Sequence, residues 1–228
     1  MSNPNMVDKY SIFQTMADRG FTLIEHQKDG INWMLDRELC PQMMSKNKVC
    51  DMNGGLLCDD PGLGKTIQTC GVLLGNRLKR TLIVLPISVM GQWKDTIGKI
   101  LPDSKIHIHH GSSKIKSLEH FVTLECDIVL TTIGLVSATG SILQKIPWNR
   151  VVIDEVHYIR NPSSKAFVGA KLLKSDIKWG LTGTPIQNSI KDIQTLYRYV
   201  FSVKGGINIT NKSLSEKQLS YLNKIYLK

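Results

Sequence analysis

The chain has 228 residues, 42% of them hydrophobic, and carries a formal net charge of +10. That length suits one large α/β domain or two small ones, and the basic balance points to an anionic partner such as nucleic acid. No apolar run approaches the ~18 residues of a membrane span, and the N-terminus lacks the charged-then-apolar plan of a signal peptide, so membrane insertion and secretion are not expected. The five cysteines (Cys40, Cys50, Cys58, Cys70, Cys126) are odd in number and form no C-x-x-C pair, and they read as reduced thiols of an intracellular protein.

Residues 1–20 hold scattered apolar positions (Met6, Tyr10, Ile12, Phe13, Met16) that fit a short helix over the edge of a core. From Glu25 to Leu39 the apolar residues Ile31, Met34, Leu35 and Leu39 recur at helical spacing, behind His26 and Gln27. Cys40 to Asn53 reads as a surface loop. Leu56 and Leu57 then look like the end of a buried strand.

Downstream the apolar pattern alternates between two periods, as a parallel sheet wrapped by helices requires. Strands are expected near Leu82–Leu85, Ile106–His109, Ile128–Thr131, Val151–Asp154 and Trp179–Leu181. Helical segments are expected at Ile67–Leu78, Val89–Leu101 (with Val89, Trp93, Ile97 and Ile100 on one face), Ile133–Leu143 and Ala166–Leu173. A last helix capped by Ser189, with Asp192 three positions on, would carry Ile190, Ile193, Leu196, Tyr197 and Val200 inward. Residues 204–211 read as a loop, and Ser213 with Glu216 would cap a basic helix to the end of the sequence. The fold class predicted is α/β, a mainly parallel, doubly wound sheet with flanking helices. In such sheets ligands sit at the carboxyl ends of the strands.

Three stretches carry chemistry. Gly54 to Thr66 runs from the buried strand through Asp59, Asp60, Pro61, Gly62, Leu63 and Gly64 into Lys65 and Thr66 at the head of a helix. Gly62 and Gly64 permit backbone shapes that a Cβ would block, so successive N–H groups and the helix N-terminus would face one polyanion. Lys65 would reach the β/γ-phosphates of a nucleotide and Thr66 would ligate Mg²⁺. Asp59 stands where the strict phosphate-loop pattern has its first glycine. In the second stretch, Val151 to His157, an apolar strand ends in two carboxylates and a histidine; Asp154 fits Mg²⁺ and Glu155 the attacking water. The third, Leu181 to Asn188, opens a strand into Thr182, Gly183, Thr184 and Pro185, followed by Gln187.

Together, Asp59-Asp-Pro-Gly-Leu-Gly-Lys-Thr66, Asp154-Glu-Val-His157 and Leu181-Thr-Gly-Thr-Pro-Ile-Gln-Asn188 resemble motifs I, II and III of the Swi/Snf-type DNA-dependent ATPases of helicase superfamily two. Lesser stretches resemble the same family: His26-Gln27 with Gly30 and Trp33, its nucleotide motif, in which the glutamine serves the adenine; Thr81 to Pro86 with Gln92-Trp93; and Asp127 to Thr132. The resemblance runs from about Phe21 to Val203. It implies a RecA-like ATP-binding lobe over residues 21–203, an N-terminal extension over 1–20, and a basic loop and helix over 204–228 leading toward a second-lobe region. Lys65, Asp154 and Glu155 would be catalytic, while Gln27 and residues Asp59 to Thr66 would hold ATP and Mg²⁺. His157, Thr182, Gly183, Thr184 and Gln187 would couple nucleotide state to DNA. Pro86, Ser88, Gln92, Trp93, Thr131 and Thr132 would contact double-stranded DNA through its backbone. Such motors close two lobes on ATP, so a second RecA-like lobe, in cis or in trans, is implied, and the first lobe by itself is expected to be weakly active or inactive. DNA-bound proteins are further implied partners, at an intracellular site that is nuclear or associated with viral or cytoplasmic DNA. A lobe acting without turnover, as a nucleotide-, DNA- or protein-binding module, is the alternative. The family usually has Glu-Met where this chain has Asp60-Pro61, and Pro61 removes a backbone donor near the phosphate turn.

Overall fold

A computed structural model describes residues 8–39, 42–45, 48–51, 53–185 and 190–200. Two helices precede the sheet: α1 (Lys9–Asp18), whose first turn is capped by the Asp8 carboxylate accepting from Tyr10 N–H, and α2 (Glu25–Leu39). A hairpin follows, in which β1 (Gln42–Ser45) and β2 (Lys48–Asp51) pair antiparallel with Gln42 opposite Asp51. The surface loop expected over Cys40–Asn53 is thus replaced by a strand pair. The remaining elements are β3 (Asn53–Leu57), α3 (Lys65–Gly75), β4 (Thr81–Val84), α4 (Met90–Ile100), β5 (Ile106–Ile108), α5 (Leu118–Thr123), β6 (Ile128–Thr131), α6 (Ile133–Val136), β7 (Pro147–Asp154), α7 (Lys165–Leu172), β8 (Lys174–Leu181) and α8 (Ile190–Val200).

Strands β3 to β8 form one sheet in the order β3-β8-β7-β4-β6-β5, and every neighbouring pair is parallel. Successive strand residues are buried on opposite sides. Leu57, Ile83, Leu130 and Val152 point into a core shared with α1, α2, α3 and α4, whereas Leu56, Leu82, Val84, Val129, Val151 and Ile153 point into a second core shared with α5, α6, α7 and α8. Near-continuous apolar strands are what a sheet covered on both faces demands.

Two helices differ from the expectation: α5 (Leu118–Thr123), capped by the Ser117 hydroxyl accepting from His120 N–H, was not expected, and α6 is shorter. Instead of running from Ile133 to Leu143, α6 stops at Val136; Gly140 takes a left-handed φ of 71°, and a separate 3-10 turn covers Ile142–Gln144. The apolar residues Val136 and Leu143 are both buried, but from two short pieces. The predicted cap residue Ser189 and the helix after Ser213 lie outside the described residues. No helix among the described residues is long and apolar enough to cross a membrane.

A buried polar cluster ties α2 to the sheet. Glu38 accepts from Arg150 Nε at 2.7 Å and from Trp179 Nε1 at 2.8 Å on one oxygen, and from Arg150 Nη2 and Asn76 Nδ2 on the other. Both charged side chains are essentially without solvent contact.

Candidate active site

The carboxyl ends of β3, β4, β6, β7 and β8 deliver five loops to one edge of the sheet. The loop after β3 turns through Gly62 and Gly64, at φ 86° and 84°, and Gly64 stands at the N-terminus of α3. At Gly64 the left-handed φ favours glycine, and a Cβ there would lie 2.4 Å from Gln27 Nε2, so the Gln27 amide would have to move. The Leu63 carbonyl gathers three side chains: His26 Nε2 at 3.0 Å, Gln27 Nε2 at 3.2 Å and Gln68 Nε2 at 3.4 Å. Gln27 is buried, and its other amide atom accepts from Ile24 N–H. The glutamine assigned to adenine is therefore also a brace for the phosphate loop.

Asp59, the residue in place of the strict pattern's glycine, turns its carboxylate toward α3, where Gln68 Nε2 donates to it at 2.7 Å. Its carbonyl receives Lys65 Nζ at 2.7 Å, and the Asp60 carbonyl lies 3.2 Å from the same ammonium. Thr66 follows on the first turn of α3, half-buried. Asp60, Pro61, Gly62 and Leu63 are exposed at the rim.

At the end of β7 the Asp154 carboxylate has both oxygens engaged: Trp93 Nε1 donates to Oδ2 at 3.0 Å and Glu155 N–H to Oδ1 at 3.0 Å. Burial pushes the Asp154 carboxyl above its ordinary range, and the Trp93 hydrogen bond works against that rise by favouring the charged form. Glu155 adopts a left-handed backbone, φ 51°. Glu155 Oε2 lies 3.0 Å from His157 Nδ1, and the same nitrogen lies 3.2 Å from Thr182 Oγ1. Thr182 Oγ1 accepts from Thr184 N–H at 3.1 Å, and Thr182 N–H bonds the Leu57 carbonyl of β3. A continuous polar path thus joins Glu155, His157, Thr182 and Thr184. Gly183 lies against Pro61; a Cβ there would come within 2.6 Å of Pro61 Cδ.

The residues expected to face DNA divide. Ser88 and Gln92 are exposed, Pro86 and Thr132 partly so, and Pro86 and Thr132 line a mainly apolar pocket of about 330 Å³ that reaches Asp154, with Ile133 and Tyr158 on its other walls. Trp93 and Thr131 do not fit that role. Trp93 is 1% exposed, packed inward on α4, and the Thr131 hydroxyl is buried and donates to the His109 carbonyl. Both side chains take the inward positions of their helix and strand. Gln187 lies outside the described residues.

The comparisons agree with this geometry. Residues 26–204 match the SNF2-related domain family. The chain belongs to that family. An uncharacterized ATP-dependent helicase of Schizosaccharomyces pombe is 32% identical over 208 residues, covering 78% of this chain and 19% of that protein. The TATA-binding protein-associated factor mot1 of the same organism is 28% identical over 234 residues, 95% of this chain and 11% of its own length. The chain therefore spans a small part of these SNF2-related relatives. Among solved structures, the Sulfolobus solfataricus SWI2/SNF2 ATPase core in complex with dsDNA superposes with a TM-score of 0.70 at 26% identity, covering 91% of this chain and 46% of that one. The sheet is thus the RecA-like fold of the SNF2 ATPase core, and the family's ATPase-type activity is the setting in which its residues are to be understood.

Two site features were not anticipated from sequence. The bond from Trp93 to Asp154 links positions 61 residues apart, and the Leu63 carbonyl hub links α2 to the phosphate loop. The helical spacing of Trp93 with Ile97 and Ile100 was the available sign that the indole faces inward. His109, in the His107–His110 cluster, is structural: its Nδ1 accepts from Ile115 N–H at 2.9 Å.

Proposed function

We propose that this chain is the first, ATP-binding lobe of a double-stranded-DNA-dependent ATPase, hydrolysing ATP to ADP and phosphate when completed by DNA and a second RecA-like lobe. The observation that carries this reading is the convergence of Lys65, Asp154 and the Glu155–His157–Thr182 path on one edge of the sheet. Lys65 would exchange two loop carbonyls for β/γ-phosphate oxygens, and the N–H groups of Gly62 to Lys65 at the head of α3 would meet the remaining charge. The Thr66 hydroxyl and the Asp154 carboxylate are hard oxygen donors that suit Mg²⁺. Mg²⁺ held by one or two protein oxygens keeps waters and phosphate oxygens as its other ligands. Bound there, Mg²⁺ would neutralise charge on the phosphates.

Glu155 would orient the attacking water in line with the γ-phosphoryl group and accept its proton. His157 restrains the Glu155 carboxylate and connects it to Thr182, so that nucleotide state reaches the loop after β8. DNA would lie across Pro86, Ser88, Gln92 and Thr132, held by its backbone and therefore sensitive to salt. Its occurrence at intracellular DNA follows from the same reading.

The test is ATP turnover at low salt, with and without duplex DNA, before and after a second lobe is supplied in trans. DNA-stimulated turnover that needs the second lobe and disappears in Glu155→Gln supports the reading. Turnover at background in every mixture, with Mg²⁺-nucleotide still bound, would instead assign the chain a binding role.

A further inference from the structure

We infer that Trp93 is a positioning residue for the metal-binding carboxylate, through which the loop after β4 acts on nucleotide binding. The inference rests on the nucleotide site proposed above.

The indole is 1% exposed and sits on the same face of α4 as Ile97 and Ile100. Its only polar atom, Nε1, donates to Asp154 Oδ2 at 3.0 Å. The opposite oxygen is fixed by Glu155 N–H, so the plane of the carboxylate is held from both ends while each oxygen keeps a lone pair for a cation or its waters. A carboxylate at a strand end has a soft terminal torsion, and two opposed donors remove that freedom. Groups that orient a metal ligand in this way usually account for a 10- to 100-fold difference in metal affinity.

The geometry also says what could move this donor. Strand β4 lies beside β7 with Val84 opposite Ile153, so the chain leaving β4 starts level with Asp154. Within eight residues it passes through Pro86, the exposed Ile87 and Ser88, and the exposed Gln92 before it reaches Trp93. A polyanion resting on Ser88 and Gln92 therefore touches the first turn of the helix whose next side chain holds Asp154.

The experiment measures the Mg²⁺ concentration that half-saturates binding of a fluorescent ATP analogue, with and without duplex DNA, in the wild-type chain and in Trp93→Phe. The variant keeps an aromatic ring and lacks the N–H. The expected result is a half-saturating Mg²⁺ concentration raised about 10-fold or more, with analogue affinity in Mg²⁺-free buffer unchanged and the effect of DNA on the Mg²⁺ requirement lost. Should Trp93→Phe fail to fold, Trp93 is replaced with benzothienylalanine, which keeps the bicyclic shape and only exchanges N–H for sulfur. An unchanged Mg²⁺ requirement in a folded variant overturns the inference while leaving the nucleotide site standing. If the wild-type chain shows no Mg²⁺-dependent binding at all, the functional proposal and this inference fall together. A loss of Mg²⁺-free affinity equal to the loss with Mg²⁺ assigns Trp93 to packing and also overturns it.

Discussion

Pro61 and Gly183 explain each other. The proline departs from the usual family residue and gives up a backbone donor, and its ring fills the space beside a residue without a Cβ, linking the phosphate loop to the loop after β8. Gly183→Ala would force Cβ to within 2.6 Å of a rigid ring carbon, so one loop must shift. The expected outcome is ATP-analogue affinity reduced several-fold with the unfolding midpoint little changed, because both residues sit at the rim and outside the core; equal affinity in the variant would show that the contact is slack. At this scale the spacing of the three motifs brought Lys65, Asp154 and Glu155 to one edge of the sheet, and their roles there are the proposal. The side chains of Trp93 and Thr131 are buried, and membership in a stretch resembling a DNA-facing motif says nothing about which way a side chain points. For Trp93 the helical period with Ile97 and Ile100 marked the buried face.

Among elements, the apolar runs that form β4, β6 and β7 were readable because a strand buried on both faces leaves no alternation to misjudge. The hairpin β1–β2, a separate two-stranded sheet, was not: Met, Ser and Lys flanked by Pro and Asn resemble a loop. Helix α6 was overextended because two buried residues, Val136 and Leu143, fall at helical spacing across a break at Gly140. Just past β5, at the sheet's edge, His109 provides a pH test. Burial, with His107, Lys114 and His110 nearby, pushes its imidazole down to about 4. A depressed folded value means that the unfolded chain, titrating near ~6.5, binds the proton first. The stabilising contribution is complete above that value and is lost as pH falls toward 4. His109→Asn keeps an acceptor for Ile115 N–H and removes the titration. Its urea midpoint should therefore fall less between pH 7 and pH 4.5 than that of the wild type; parallel falls would contradict the assignment.

For the whole molecule, two apolar layers clamp the sheet, and the Glu38–Arg150 pair is the polar joint between α2 and strands β7 and β8. Leaving Arg150 without its partner would strand a buried charge, at a cost of about 3–5 kcal/mol. Glu38→Ala should lower unfolding stability by that order in urea titration; a loss below ~1 kcal/mol would mean that water reaches the guanidinium. This clamp keeps the ends of β3, β7 and β8 in register, and so keeps Lys65, Asp154 and Thr182 within one site.

Every role proposed for this chain depends on that site. The most direct measurement is Mg²⁺-dependent binding of a fluorescent ATP analogue to the wild-type chain and to Lys65→Ala. Saturable binding that weakens at least ~10-fold in the variant, the loss of one charge-assisted phosphate contact, is the predicted result. Equal binding by the two proteins, or none by either, would contradict it.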